Sequence, residues 1–328
     1  MTKHLMATAA AFAVMAGAAL AEPGLIIDLG GKFDKSFNES ASQGAERWKE
    51  ETGGDFRETE LTSEAQREQS MRRMAESGAN PVVVLGFANA STLEKVAPDY
   101  PETKFAIIDG VVDAPNVQSI VFDEHTGSYL VGMMAAMASE TGTVSFVGGM
   151  DIPLIRKFAC GYAQGVKAVN PDATVIVNMT GTTPAAWNDP ATGGEIARGQ
   201  FDQGSDVVYA AAGGTGVGVL QAAADAGKLS IGVDSNQNYL QPGSVLTSML
   251  KRVDNAVYDV FTAGTDMQTG IVVKDLAAEG VGYAVDDNNK DLVTSEMQTA
   301  VDEAKQKIMD GEIEVHDFTS DNACPEQL

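Results

Sequence analysis

The strongest constraint on the fold is an alternation of element types that runs along the chain and restarts once. β-Rich runs at Leu25–Ile27, Phe56–Glu60, Pro81–Leu85, Lys104–Ile108 and Val117–Val121 predict strands, with a helical pattern over Ser63–Glu76 between them. A long helix is expected over Glu124–Ser139. The order then begins again, with strands Thr143–Val147, Thr174–Met179, Val207–Ala210, Leu229–Val233 and Leu246–Met249. Helical patterns over Leu154–Asn170, Asp189–Gln203 and Gly216–Ala226 separate them. Strands joined through helices of ten or more residues pair in parallel, because a tight hairpin cannot connect them. The expected fold is therefore α/β, in two lobes, each a mostly parallel sheet flanked by helices, with a ligand cleft between them.

The remaining segments are too short to form a third domain. Asn255–Phe261 and Ser295–Met309 read as helices, while Gly264–Asp266, Gly270 and Gly280–Gly282 read as breaks. They must pack back onto the lobes. The expected division is 22–124 plus roughly 252–285 for the first lobe, and 125–251 plus roughly 286–328 for the second. Residues 1–21 read as an export signal: Lys3, an apolar run from Met6 to Leu20, and Ala19-Leu20-Ala21 before Glu22. No cysteine lies near that junction, so no lipid anchor is expected, and a free periplasmic protein is. The two cysteines, Cys160 and Cys324, are expected to pair in an oxidising compartment.

Open α/β sheets bind ligands beyond the C-terminal ends of their strands, so those loops are where function is sought. The first is Asp28 to Asn38, running through Gly30-Gly31 into Asp34-Lys35-Ser36-Phe37-Asn38. Ser36 or Asn38 is suited to capping the helix that follows. Acids end three expected strands, at Asp28, Asp109 and Asp234, and carboxylates accept paired hydrogen bonds from sugar hydroxyls. Phe37 and Trp187 are the loop aromatics best placed to stack on a planar ring, and Lys251 ends a strand as a possible donor, although a surface lysine is the commoner case.

A formal charge of −24 argues against nucleic acid and anionic membranes as partners, and against phosphorylated ligands. The glycines at 213, 214, 216 and 218, with Asp234 beyond them, imitate a dinucleotide fingerprint, but Gly218 comes one position early. Catalysis finds little support. The histidines are His4, His125 and His316, and there is no GxSxG elbow, HExxH pair or dense run of metal ligands. Neither a cofactor nor a metal is expected.

Five stretches together carry a resemblance: Asp34 to Asn38, Val147-Gly148-Gly149-Met150-Asp151-Ile152-Pro153, Ala212 to Gly216, Gly232 to Gln237, and Ser248 to Asp254. They resemble, in the same order, the basic membrane protein (BMP) family, the substrate-binding components of ABC importers. The resemblance implies a type I periplasmic-binding-protein fold, a monomer that is not an enzyme, a purine nucleoside as ligand and an inner-membrane permease as partner. It implies that Phe37 and Trp187 sandwich the base, and that Asn38 and Asp109 meet its edge. Asp234, Lys251 and the Gly213–Gly214 backbone would hold the ribose, with Asp28 nearby. Tryptophan at 187 stands where relatives commonly carry an aromatic, a departure if that aromatic is phenylalanine, and the acidity here departs from the family's name. Riboflavin or a sugar as cargo, and a secreted nucleoside-processing enzyme, are the alternatives.

Overall fold

The structure is a computed structural model that describes residues 21–328, so all but the last residue of the expected export signal lies outside the described residues. The first lobe contains β1 (Gly24–Ile27), α1 (Phe37–Thr52), β2 (Arg57–Glu60), α2 (Arg67–Glu76), β3 (Val82–Leu85), α3 (Ala90–Val96), β4 (Phe105–Ile108) and β5 (Val117–Phe122). Then follow α4 (Glu124–Ala138), β6 (Thr143–Met150), α5 (Pro153–Val169), β7 (Thr174–Gly181), α6 (Pro190–Asp202), β8 (Val207–Ala211), α7 (Thr215–Asp225), β9 (Leu229–Asp234) and β10 (Val245–Lys251). The chain ends through α8 (Val253–Ala263), β11 (Gly270–Lys274), β12 (Val281–Tyr283) and α9 (Ser295–Met309).

Two six-stranded sheets result, in the orders β11-β5-β4-β3-β1-β2 and β12-β10-β9-β8-β6-β7. The first five strands of each series take matching places in the two orders, as the restarting alternation predicts, and β11 and β12 each add a sixth at the same edge. Every pairing in the first sheet is parallel; in the second only β12 runs antiparallel, against β10. Strands β1, β3 and β4 are buried along their whole length, which is why they read as unbroken apolar runs. The edge strand β2 is instead Arg-Glu-Thr-Glu and largely exposed, and its charges discourage edge-to-edge pairing.

The strand order reverses between β1 and β3 in the first sheet, and between β6 and β8 in the second. At such a switch point the loops leave to opposite faces of the sheet and open a crevice at the strand C-termini. Helix α4 is buried over most of its surface and packs on α5, α9 and β10, so it belongs to the second lobe. Helix α8 returns to pack on α1. The chain crosses between lobes around Asp123, around Arg252, and again between Lys274 and Val281. That last crossing comes earlier than the expected 285, because Gly280–Gly282 is not a break: Val281, Gly282 and Tyr283 pair with Lys251, Leu250 and Met249. Gly270 likewise opens β11 rather than ending an element. Glycine inside a strand contributes no side chain to the pattern, which hides such strands in the sequence.

Cys160 on α5 and Cys324 in the tail form a disulfide across 164 residues of chain. Closing so long a loop restricts the unfolded chain. Cys324→Ser is expected to lower the free energy of unfolding by about 2–5 kcal/mol in a denaturant titration. An unchanged midpoint and slope would contradict this.

Candidate functional site

The first βα loop is organised by Asp34. Its Oδ1 accepts from the backbone N–H groups of Ser36 at 2.9 Å and Glu39 at 3.0 Å, and its Oδ2 from that of Asn38 at 3.0 Å. Asp34 therefore satisfies the start of α1, not Ser36 or Asn38 as the cap rule suggested. Those two side chains are left to do other work. Asn38 braces the loop, its Nδ2 donating to the carbonyls of Asp28 at 3.3 Å and Gly31 at 3.2 Å. Ser36 Oγ donates to the Asp234 carboxylate of the opposite lobe. Between them Lys35 adopts left-handed backbone (φ 61°), and its carbonyl accepts from Ser235 Oγ at 2.9 Å and Gln237 Nε2 at 2.8 Å, also across the cleft.

Asp109 and Asp234 terminate β4 and β9, which hold the same place in the two sheets. Both have left-handed backbone, φ 67° and 64°. Aspartate tolerates that region better than most residues, yet the conformation is costly and concentrates at functional sites. Asp28, grouped with them in the sequence, ends β1 instead, whose counterpart is β6. Strand-end position alone does not distinguish the two.

Lys251 closes β10 and is 1% exposed, the reverse of the surface lysine that its type usually implies. Its Nζ lies 2.6 Å from Asp109 Oδ2 of the first lobe and 2.9 Å from Glu124 Oε1 at the start of α4. The rings of Phe122, Phe37 and Phe158 surround the ammonium at 5.1, 5.4 and 5.5 Å. Burial opposes its charge, but Asp109, Glu124 and Asp234 outweigh burial and hold the ammonium above the usual lysine range. Burial would raise Glu124 too; Lys251 and Lys157, the latter at 3.0 Å, more than offset it and leave the carboxyl low. Burial pushes Asp109 up against the pull of Lys251. Asp234 and Asp34 are each pushed up to about 6 by burial, the first despite Lys251 and Ser36, the second despite its three backbone donors.

Asp34, Asp109, Asp234 and Lys251 line a cleft between the lobes that is partly open to solvent, and Glu124 stands behind Lys251. Phe37 and Phe87 enter from the first lobe and Trp187, Phe158, Leu154 and Ile155 from the second. Two close approaches require glycine. A Cβ on Gly86 would stand 2.2 Å from the Asp28 carboxylate, and one on Gly149 would stand 2.1 Å from the Trp187 ring. Of the residues predicted from sequence, Asp28, Phe37, Asn38, Asp109, Trp187, Gly213, Asp234 and Lys251 line this cavity. Gly214 does not; it precedes α7 and lies against the Trp187 carbonyl and Asn188. Sequence reasoning missed Asp34, Glu124 and the apolar wall from α5. Asp34 stood inside a motif already singled out, and Glu124 beside an expected interlobe crossing, but an apolar helix start carries no ligand signal. Among the described residues no group of three or more His, Cys, Asp or Glu is arranged to hold a metal, and no helix is long and apolar enough to cross a membrane.

A two-lobed fold with aromatic and charged groups converging from both lobes is the geometry of a solute receptor. Residues 24–319 match the family described as "ABC transporter substrate-binding protein PnrA-like". This chain belongs to the Bmp family of ABC transporter substrate-binding proteins. It is 34% identical to the CD4+ T-cell-stimulating antigen of Listeria monocytogenes, covering 89% of this chain and 87% of the relative. It is 32% identical to the ABC transporter nucleoside-binding protein BmpA of Lactococcus lactis, over 89% and 88%. Among solved structures, an ABC transporter solute-binding protein from Aeropyrum pernix K1 superimposes with a TM-score of 0.80 at 31% identity, covering 90% of this chain and 92% of that one. The fold is accordingly that of the type I periplasmic binding proteins.

The buried charges make two expectations. Lys251→Met leaves Asp109 without its partner and Glu124 with Lys157 alone, and is expected to cost about 3–5 kcal/mol of unfolding free energy; a cost below about 1 kcal/mol in a urea titration would contradict this. Asp234, raised to about 6, favours the folded state most when protonated. That contribution is complete below the ordinary aspartate range and is lost as pH rises through about 6. Asp234→Asn should therefore gain stability relative to the parent on going from pH 4 to pH 7.5, by on the order of 2–3 kcal/mol. Parallel stability curves for the two proteins across that range would contradict the assignment.

Proposed function

We propose that this protein is a monomeric periplasmic receptor that captures a nucleoside, a purine nucleoside in our reading, and passes it unchanged to an ABC permease. The observation that carries the reading is the make-up of the cavity: two aromatic rings, Phe37 and Trp187, come from opposite lobes, and Asp109, Lys251 and Asp234 gather beside the Phe37 ring. A flat base and a hydroxyl-rich sugar match those two sets of groups. Because Asp109 is bound to Lys251, we assign it to the ribose end with Asp234, and give the base edge to Asp28 and Asn38. The acidic lining on a strongly acidic chain disfavours phosphates, which supports a nucleoside over a nucleotide. The nucleoside-binding name of the Lactococcus relative supports the same class.

Capture works by differential affinity. A ligand that touches both lobes favours the arrangement in which they meet, by the energy of the contacts that only that arrangement offers. A ribose hydroxyl would take over the Asp234 carboxylate from Ser36, exchanging a lobe-to-lobe hydrogen bond for one that includes the ligand. Stacking on each ring contributes about 1–3 kcal/mol by analogy with base stacking elsewhere.

Titration calorimetry tests this. Phe37→Ala and Asp234→Ala are each expected to weaken nucleoside binding at least about tenfold, or 1.4 kcal/mol. Normal titrations for both variants would remove the site assignment. Nucleoside recovered intact after prolonged incubation agrees with a receptor, whereas release of free base would show an enzyme instead.

A further inference from the structure

A second chamber adjoins the cavity at its base end. Asp28, Leu29, Phe87 and Trp187 line both, so the Asp28 carboxylate stands where the two meet. The far wall of the second chamber is Glu64 and Arg67 from the first lobe, facing Met150 and Thr182 to Pro184 from the second. Arg67 Nη1 is anchored on the Ala88 carbonyl at 3.0 Å, and Nη2 lies 3.6 Å from Asp28 Oδ1, an ion pair too long for a hydrogen bond. Three buried polar atoms here have no hydrogen-bond partner among the described residues: Asp28 Oδ1, Arg67 Nε and Asn38 Oδ1. Buried polar atoms are ordinarily paired, and each one left alone forfeits free energy unless something meets it.

The pattern of these atoms is informative. Asp28 and Asn38 offer acceptors, while the guanidinium beside Asp28 offers a donor. Resting on the nucleoside reading above, we infer that Asp28 and Arg67 select 6-oxopurine nucleosides, with guanosine preferred. A guanine edge carries two adjacent donors, N1–H and the 2-amino group, next to the acceptor O6. A carboxylate accepts from both donors and a guanidinium donates to the oxygen. Inosine keeps N1–H and O6 but lacks the amino group. Adenosine turns the unprotonated N1 toward the carboxylate, lone pair to lone pair, and sets its 6-amino group against the guanidinium. A site built to hydrogen-bond a donor rejects strongly the analogue that lacks it, since its own buried groups are then left unpaired. Burial raises the Asp28 carboxyl, and the Leu29 backbone N–H, the Arg67 guanidinium and Asn89 offset part of that rise.

Calorimetry of the full chain with guanosine, inosine and adenosine, at pH 7.5 and one salt concentration, tests the inference. The expected order is guanosine, then inosine, then adenosine, with at least about a hundredfold between the first and last. Asp28→Asn, whose amide can turn either its oxygen or its nitrogen to the base, should bring guanosine and adenosine within about tenfold of each other. Equal or tighter binding of adenosine by the parent overturns the inference, and so does an Asp28→Asn variant that binds but keeps the full preference. If that variant does not fold, the parent's ratio decides alone. Binding of none of the three would instead overturn the nucleoside reading on which this one rests.

Discussion

The structure depends on one buried ammonium. Lys251 is held between Asp109 of the first lobe and Glu124 where the chain passes into the second, with Asp234 close enough to bias its charge. Removing these ions from water costs several kcal/mol each, and their attraction only roughly repays it. The arrangement is therefore a poor way to gain stability and a good way to fix register: the lobes can meet in one position where Asp109, Lys251 and Glu124 all find partners. Glu124 is in turn held by Lys157, whose Nζ also lies 3.4 Å from Asp317 in the C-terminal tail. The disulfide at Cys324 keeps that tail on α5, so the covalent link and the ion network brace the same wall of the cleft.

The other lobe-to-lobe contacts are lighter and reversible. Ser36 meets Asp234, and Ser235 and Gln237 meet the Lys35 carbonyl. Each is a hydrogen bond whose net worth is about 1 kcal/mol, since water replaces it when the lobes part. Such contacts leave the interface dependent on whatever else bridges it. The three acids Asp34, Asp109 and Asp234, all raised by burial, add a cost near neutral pH that a hydrogen-bonding ligand would relieve. The site is thus strained toward accepting donors, in its backbone at Asp109 and Asp234 as well as in its charges.

The fold was legible because its signals are repetitive. Buried parallel strands such as Val82–Leu85 and Phe105–Ile108 announce themselves as short apolar runs, and the second series repeats the first. Strands β11 and β12 were not legible, because their glycines carry no pattern and their pairing partners lie far away in sequence. Much of the site could be read for a related reason: strand ends are predictable, and so are the loops that follow. What could not be read was how the groups combine. Nothing in the sequence says that Asp34 rather than Ser36 caps α1, that Lys251 is buried, or that Asp109 pairs with it. Those are outcomes of packing two lobes together, and the polar groups involved look in sequence like any solvated face.

The central claim is that a nucleoside bridges the two lobes and draws them together. Small-angle X-ray scattering on protein unfolded, freed of small molecules and refolded tests it most directly. The account predicts a smaller radius of gyration when guanosine is added, and no change with ribose or free guanine alone, since neither makes both the stacking contacts and the hydroxyl contacts that join the lobes. A radius indifferent to every nucleoside, or one that contracts equally with the sugar alone, would contradict it.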